Sequence, residues 1–167
     1  KGAIVYSDAI GVKPDAIFRA YSMTKPMTSV LAMMMVEEGQ LQLADPVSKF
    51  LPALAQMQVL ANPADPASTT VAAARPILVH DLLRHTSGLT YAEFTRSAAM
   101  RNAYISAGLF SNEVPSAWIT LTPEQQVAAF AKAPLQWQPG STWEYSLSTD
   151  LLGRVLEVVG KKSLNLL

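Results

Sequence analysis

Two residues early in the chain, Ser22 and Lys25, have the types and the spacing that nucleophilic catalysis requires. On a helix, side chains three positions apart lie on one face, so the Ser22 hydroxyl and the Lys25 ammonium can meet. A serine hydroxyl becomes reactive when a neighbouring base accepts its proton, and the free backbone N–H of Ser22 at a helix N-terminus could stabilise an oxyanion. The pattern alone is common, and it equally fits a helix N-cap followed by a solvated lysine.

Tyr145 is the second candidate, because it stands between the Pro139-Gly140 turn and a predicted helix. A lysine ammonium close to a phenol stabilises the phenolate, which can then act as a general base. The structural alternative is a buried aromatic ring whose hydroxyl has one hydrogen-bond partner.

A third segment, His85-Thr86-Ser87-Gly88-Leu89, follows a predicted helix. It is typical of a helix C-terminus, with Gly88 in the left-handed conformation and His85 near the negative end of the helix dipole. We therefore expect a structural role for this segment.

Three segments in a fixed order resemble the serine β-lactamase and penicillin-binding-protein superfamily. They are FRAYSMTK at 18–25, LLRHTSGL at 82–89 and PGSTWEYS at 139–146. Within the superfamily the chain most resembles the family VIII carboxylesterases, which share the class C β-lactamase fold. The resemblance covers nearly the whole chain. It implies an α/β domain plus a helical domain in a β-lactamase/transpeptidase-like fold, with the sheet incomplete in this chain.

The resemblance also implies roles for three residues. Ser22 matches the acylated nucleophile, and its backbone N–H matches one donor of the oxyanion hole. Lys25 matches the lysine that helps to activate the serine, and Tyr145 matches the general base and proton shuttle. No metal and no cofactor is implied.

The chain departs from the superfamily pattern in two places. Leu147 stands where β-lactamases have the Asn of a Tyr-x-Asn motif, which contacts the amide of the substrate. This favours an ester over a β-lactam. The third motif, Lys-Thr-Gly or an equivalent, is absent after Tyr145, where only Lys161-Lys162-Ser163 is found. We therefore expect this chain to be an N-terminal part, completed by a C-terminal segment or by a second chain.

Composition excludes several other functions. The 167 residues include 13 basic and 13 acidic side chains, no Cys and two His. The balanced charge argues against a nucleic-acid partner, and the lack of Cys excludes disulfides and thiolate chemistry. The most apolar run, 30–36, is far shorter than the roughly 20 residues that span a bilayer. The resemblance implies a bacterial-type enzyme and leaves the compartment open between cytoplasmic and exported.

Hydrophobic patterning predicts the elements that position the candidate residues. We expect short strands at 3–6 and 16–20, and a helix from Ser22 to Gly39. Thr122 is predicted to cap a helix that ends at Pro134, and Ser148 or Thr149 to cap the last helix. Residues 61–76 and 90–120 are expected to be irregular. Residues 1–25 and 150–167 would then belong to the α/β domain, and 26–149 would form a mostly helical domain.

Aromatic side chains between residues 90 and 120 lack helical periodicity, so they could form a substrate pocket or simply pack the loop onto the helical domain. The residues that we expect to line an acyl or alcohol pocket are Tyr104, Phe110, Trp118 and Leu147.

Three hypotheses of function follow. The first is a serine hydrolase that cleaves a small-molecule, short-chain carboxylic ester through an acyl-enzyme on Ser22. The second is a β-lactamase or D-alanyl-D-alanine peptidase that uses the same nucleophile. The third is an inactive, truncated domain that binds a ligand or partner. No Gly-x-Ser-x-Gly sequence occurs, so an α/β-hydrolase nucleophile turn is absent.

Overall fold

Helices make up most of the regular structure in the computed structural model, which describes residues 2–114 and 117–167. The α-helices are α1 (Thr24–Glu37), α2 (Val79–Leu83), α3 (Ala98–Ala107), α4 (Pro123–Lys132) and α5 (Ser148–Gly160). Short 3-10 turns lie at Tyr21–Met23, Val47–Lys49, Pro52–Leu54, Ala117–Thr120 and Leu164–Leu166. No helix in these two ranges is both long enough and apolar enough to cross a bilayer.

Helix α5 lies at the centre of the core and packs against both α1 and α2. Its buried residues repeat at helical spacing along one face, which is why it can fill the space between two neighbours. Helix α1 buries only a narrow stripe, Thr28, Ala32 and Met35. The buried face of α5 consists of Leu151, Leu152, Val155 and Leu156 together with Gly153 and Ser148.

Helix α4 begins where the sequence predicts, at a cap that is encoded locally. The Thr122 hydroxyl accepts a hydrogen bond from the Gln125 backbone N–H at 3.3 Å. The Gln125 side chain in turn accepts one from the Thr122 backbone N–H at 2.9 Å. This reciprocal capping box and Pro123 in the first turn fix the helix start.

The sheet is small. Strand β1 (Gln58–Leu60) pairs antiparallel with β2 (Thr70–Ala72), and Val59 lies opposite Val71. A single parallel bridge joins Val59 to Leu135. Among the described residues, the sheet is thus limited to these two short strands.

Several expectations for the elements are corrected by the structure. Residues 3–6 and 16–20 have no strand, because no described segment pairs with them and their side chains stay exposed; Val5 is 96% and Ile17 is 100% exposed. Strand β2 lies within the segment 61–76 that was expected to be irregular. Helix α3 lies within 90–120, where Ser97 caps it by accepting from the Met100 backbone N–H. Leu147 rather than Ser148 or Thr149 precedes α5.

Candidate active site

The start of α1 places Ser22 and Lys25 beside each other. Ser22 lies in the 3-10 turn Tyr21–Met23, which runs directly into α1. Lys25 precedes Thr28, Ala32 and Met35 at helical spacing, so it belongs to the face of α1 that points inward. Tyr21, immediately before Ser22, has a left-handed backbone with φ 48, a conformation that is costly for a non-glycine residue and is concentrated at functional sites.

Tyr145 reaches the same place because its segment is hydrogen-bonded to residues 85–90. The Gln136 N–H donates to the Gly88 carbonyl at 2.7 Å, and the Gly140 N–H donates to the Thr86 carbonyl at 2.7 Å. The Glu144 N–H then donates to the His85 carbonyl at 2.9 Å. These hydrogen bonds form a ladder that holds the segment from Gln136 to Glu144 against residues 85–90 and so positions Tyr145.

The loop at residues 85–90 is itself anchored by a buried ion pair. Asp81, fully buried, accepts two hydrogen bonds from the Arg75 guanidinium at 2.6 and 3.0 Å, and a third from the Thr86 hydroxyl at 3.1 Å. Burial alone would raise the pKa of Asp81, but the Arg75 guanidinium and these hydrogen bonds outweigh it and hold the pKa below its ordinary value. A carboxylate satisfied in this way fixes the backbone from α2 to Thr86.

Ser22, Lys25 and Tyr145 therefore lie together. The Ser22 Oγ is 2.5 Å from the Tyr145 hydroxyl and 3.5 Å from the Lys25 Nζ. The Lys25 Nζ also lies 4.8 Å from the centre of the Tyr145 ring. A neighbouring ammonium stabilises the deprotonated form of a phenol. A serine hydroxyl in hydrogen-bond contact with that phenolate can transfer its proton to it.

The protonation states in this cluster follow from its charges. Burial alone would lower the pKa of Lys25, but interactions with Tyr145 and Tyr91 outweigh it, so the pKa is raised and the side chain stays cationic. Burial alone would raise the pKa of Tyr145, but the hydrogen bond with Ser22 and the nearby Lys25 ammonium outweigh it, so this pKa is lowered. The phenol, rather than the ammonium, is the group that most readily gives up its proton to become a base.

Tyr91 is part of the cluster, although no sequence motif points to it. The Lys25 Nζ donates to the Tyr91 hydroxyl at 3.3 Å, and the Tyr91 ring lies 5.4 Å from the Tyr145 ring. Burial and the negative charge of Asp150 raise the pKa of Tyr91, so its hydroxyl keeps its proton. The only signal in the sequence is its position just after the segment 85–89.

The carboxylate of Asp150 is connected to the cluster through Trp118. Its Oδ1 accepts a hydrogen bond from the Trp118 indole N–H at 3.2 Å, and the Trp118 ring lies 5.9 Å from the Tyr91 ring. Burial raises the pKa of Asp150, although the Lys25 charge and the indole N–H oppose the shift. No sequence motif points to Asp150, because it lies inside an ordinary helix start.

A cavity of about 380 Å³ opens beside Ser22. Trp118 lines it. Of the other residues expected to form a pocket, Tyr104, Phe110 and Leu147 lie in the hydrophobic core with at most 4% exposure and do not line this cavity. The Tyr104 hydroxyl is engaged by the Thr90 backbone N–H at 3.2 Å. The cavity wall includes Ser22, Lys25, Tyr91, Trp118, Asp150 and Arg154.

A larger groove of about 640 Å³ lies elsewhere, between Phe50, Val127 and Val158, and none of Ser22, Lys25 or Tyr145 lines it. We assign the candidate site to the smaller cavity because Ser22 and Lys25 line it. Across residues 2–114 and 117–167, no cluster of three or more His, Asp or Glu side chains could hold a metal ion.

The fold and the clustered serine, lysine and tyrosine define a protein of the β-lactamase/transpeptidase-like class, and the comparisons with known proteins agree. A family model described as beta-lactamase matches residues 1–165. The chain therefore belongs to the beta-lactamase family.

Individual relatives are much longer than this chain. Protein Rv1367c of Mycobacterium tuberculosis (strain ATCC 25618 / H37Rv) is 40% identical over 147 residues, covering 88% of this chain and 34% of that protein. Esterase EstB of Burkholderia gladioli is 31% identical over 166 residues, covering 93% of this chain and 38% of that protein. The structure of EstCE1, "a hydrolase with promiscuous acyltransferase activity", is similar with a TM-score of 0.65 and 33% identity, covering 86% and 33%. The chain spans about a third of the length of these proteins.

Proposed function

We propose that the protein is a serine hydrolase that cleaves short-chain carboxylic esters through an acyl-enzyme on Ser22. The observation that carries this proposal is the 2.5 Å contact between the Ser22 Oγ and the Tyr145 hydroxyl, with the Lys25 ammonium 3.5 Å from the same oxygen. The names of EstB and EstCE1, an esterase and a hydrolase, support an ester-cleaving activity.

In the proposed reaction, Tyr145 acts as the general base in its phenolate form. The phenolate accepts the Ser22 proton while the Ser22 Oγ attacks the ester carbonyl carbon. The tetrahedral intermediate then collapses, and the alcohol leaves with the proton that Tyr145 had accepted. In the second half, Tyr145 deprotonates a water molecule that attacks the acyl carbon, and the proton returns to the Ser22 Oγ as the carboxylic acid departs.

Lys25 is proposed to act as a fixed positive charge rather than as the base. Its raised pKa keeps the ammonium charged while the lowered pKa of Tyr145 makes the phenolate available. A cation next to the phenolate and the attacking oxygen stabilises the negative charge that passes between them.

The oxyanion of the tetrahedral intermediate is proposed to bind to the Ser22 backbone N–H. An oxyanion hole has two donors, and the loss of one such donor lowers the rate by about 10²–10³. We propose that the second donor comes from a C-terminal segment or a second chain, because relatives of this chain are about three times as long.

Exposed apolar side chains on α1 support that proposal. Met27 is 71%, Val30 is 60% and Met34 is 50% exposed, and they follow one another at helical spacing. Contiguous exposed apolar surface marks a site of contact.

We also propose that the chain divides into an α/β part, residues 1–25 and 150–167, and a helical part, residues 26–149.

The cavity beside Ser22 is proposed to take the acyl or alcohol group. Its volume of about 380 Å³ lies near the lower end of the range for small-molecule sites, about 300–1,000 Å³, which favours a short chain. Trp118 supplies apolar surface in its wall, and its hydrogen bond to Asp150 fixes the ring. Tyr104 and Phe110 are not included in this pocket, because the core covers both.

The lack of an amide side chain at position 147 favours an ester over a β-lactam or a peptide. Leu147 is 1% exposed and it precedes α5, two residues after Tyr145. A leucine offers no hydrogen bond to a substrate amide. A β-lactamase or D-alanyl-D-alanine peptidase activity on the same Ser22 is the alternative chemistry, and an inactive binding domain is the alternative without chemistry.

A pair of serine variants in the polypeptide as it is naturally made tests the proposal. We expect Ser22→Ala to abolish hydrolysis of p-nitrophenyl butyrate, because no other hydroxyl can replace the nucleophile. The matched control is Ser29→Ala, a serine on the same helix but outside the cavity wall, which should keep the wild-type rate. Wild-type turnover in Ser22→Ala would refute the proposal, and faster opening of a chromogenic cephalosporin than of the ester would favour the alternative chemistry.

A second experiment tests whether the site needs further polypeptide. We expect residues 1–167 expressed alone to be poorly soluble and to hydrolyse the ester far more slowly per folded molecule than the naturally made polypeptide. Equal activity from a soluble 18.0 kDa monomer would show that both oxyanion donors already lie in this chain.

A further inference from the structure

One residue, His85, binds the backbone on both sides of Tyr145. The Glu144 N–H, just before Tyr145, donates to the His85 carbonyl at 2.9 Å. The Ser146 N–H, just after it, donates to the His85 Nδ1 at 3.3 Å. Between these two hydrogen bonds the His85 ring packs against the Tyr145 ring with 5.0 Å between their centres. The position of the Tyr145 hydroxyl therefore depends on the His85 backbone and imidazole together.

The backbone of His85 is in an unusual conformation that makes this double contact possible. Its φ is 56, in the left-handed region that few non-glycine residues adopt. Such strained positions persist where the surrounding contacts hold them, and they are concentrated at sites with a functional role.

We propose that His85 is a positioning residue for Tyr145 and that it acts only as the neutral imidazole. This inference rests on the proposed function, because it concerns the base of that reaction. A backbone N–H can only donate, so the Ser146 N–H assigns the acceptor role to Nδ1 and the imidazole proton to Nε2. A second proton on Nδ1 would oppose the Ser146 N–H and release the segment that carries Tyr145.

The serine hydroxyls behind His85 stabilise the same arrangement. The Ser146 Oγ lies 3.3 Å from Nδ1 and 2.7 Å from the Ser148 Oγ, which in turn lies 2.8 Å from the Ser87 Oγ. These hydroxyls are completely buried. They join the segment 85–90 to the start of α5, so a shift of Ser146 would disturb a buried network as well as Tyr145.

The surroundings of His85 favour its neutral form. The titratable groups that face His85 are Tyr145, whose ring packs on the imidazole, Glu144, whose backbone N–H donates to the His85 carbonyl, and Lys25 of α1, whose charge acts on the imidazole. Burial and the positive charge of Lys25 lower the pKa of His85. The imidazole is therefore neutral at pH 7. It gains a second proton only at a pH below the ordinary histidine pKa of about 6.5.

The test compares pH profiles of kcat/KM for ester hydrolysis by the naturally made polypeptide and by two variants. His85→Asn and His85→Gly both tolerate the left-handed backbone, but only Asn offers a side-chain oxygen to the Ser146 N–H. If His85 and Tyr145 must both be deprotonated, a plot of log kcat/KM against pH has a limiting slope of two at low pH. If only Tyr145 must be deprotonated, the slope is one.

We expect a slope of two in the wild type at pH values below the lowered pKa of His85, and a slope of one for both variants. At pH 8, His85→Asn should stay within about tenfold of wild type, and His85→Gly should fall about 10²-fold, the typical effect of misplacing a catalytic group by about 1 Å. A slope of one in the wild type, a slope of two in His85→Asn, or equal rates for Asn and Gly at pH 8 would each overturn the inference. Unimpaired hydrolysis by Ser22→Ala would instead refute the proposed function.

Discussion

The Tyr145 hydroxyl lies 2.5 Å from the Ser22 Oγ, although 123 residues separate the two in the chain. The contact needs two independent packing relations. Helix α1 packs against α5, which places Ser22, and the hydrogen-bonded ladder between 85–90 and 136–147 places Tyr145. A change in either relation should separate the two hydroxyls without altering their chemistry.

Replacement of Tyr145 by phenylalanine removes the proposed base and keeps the ring that packs against His85. We expect Tyr145→Phe to lower kcat/KM for p-nitrophenyl butyrate by about 10²–10⁴, the usual contribution of a general base. The matched control is Tyr6→Phe, which removes a hydroxyl from a ring that is 80% exposed and distant in the sequence from the site. A loss of less than tenfold in Tyr145→Phe would show that another group accepts the Ser22 proton.

Replacement of Asp150 by asparagine should shift the pH dependence of the reaction. The Asp150 carboxylate, like burial, opposes the lowering of the Tyr145 pKa by Ser22 and Lys25. The amide oxygen of Asp150→Asn can still accept from the Trp118 indole N–H. The pKa of Tyr145 should therefore fall, and kcat/KM should begin its rise at a lower pH than in the wild type. Glu113→Gln, which removes an exposed charge, should leave the profile in place. A shift of the Asp150→Asn profile to higher pH would contradict this charge relationship.

Alanine substitutions at two glycines distinguish backbone strain from steric overlap: Gly88 lies in the loop that positions Tyr145, and Gly108 ends α3. Gly88 and Gly108 both have left-handed backbones, with φ 88 and 81. A Cβ at Gly88 would overlap the Trp137 carbonyl oxygen, whereas a Cβ at Gly108 would meet nothing within 4 Å. Gly108→Ala should therefore lower the free energy of unfolding by about 1–2 kcal/mol, the cost of a left-handed alanine alone.

Gly88→Ala should cost clearly more than Gly108→Ala, and it should also lower the ester-hydrolysis rate because the ladder to Tyr145 must shift. Urea unfolding of the two variants measures the first effect, and kcat/KM measures the second. Equal losses of stability in the two variants would mean that the backbone at Gly88 moves away from Trp137 without consequence.

Local signals in the sequence were sufficient for several elements, whereas the catalytic roles of Ser22, Lys25 and Tyr145 stay a prediction from the family resemblance. The Thr122 capping box and the apolar face of α5 depend on neighbouring residues, so both helices could be predicted. Ser22, Lys25 and Tyr145 could be named from motif order, and the structure brings them together.

The remaining site residues and the two strands depend on contacts between segments that are distant in the chain, which local sequence patterns do not encode. Tyr91 joins the cluster through a ring contact and a hydrogen bond with Lys25, and Asp150 through the Trp118 indole, and neither has a sequence signature. Strands β1 and β2 have three residues each, too few for an alternating pattern. The predicted strand at 3–6 failed because β-propensity alone does not supply a partner strand.

Direct detection of the acyl-enzyme tests the central claim that Ser22 is the nucleophile. The naturally made polypeptide is mixed with p-nitrophenyl butyrate, quenched in acid within the steady state, and digested for mass spectrometry of the peptide that contains Ser22. We predict a butyryl group on that peptide, assigned to Ser22 by fragmentation, and no butyryl group on any peptide of Ser22→Ala. A butyryl group on another residue during full turnover, or an adduct that persists in Ser22→Ala, would contradict the account.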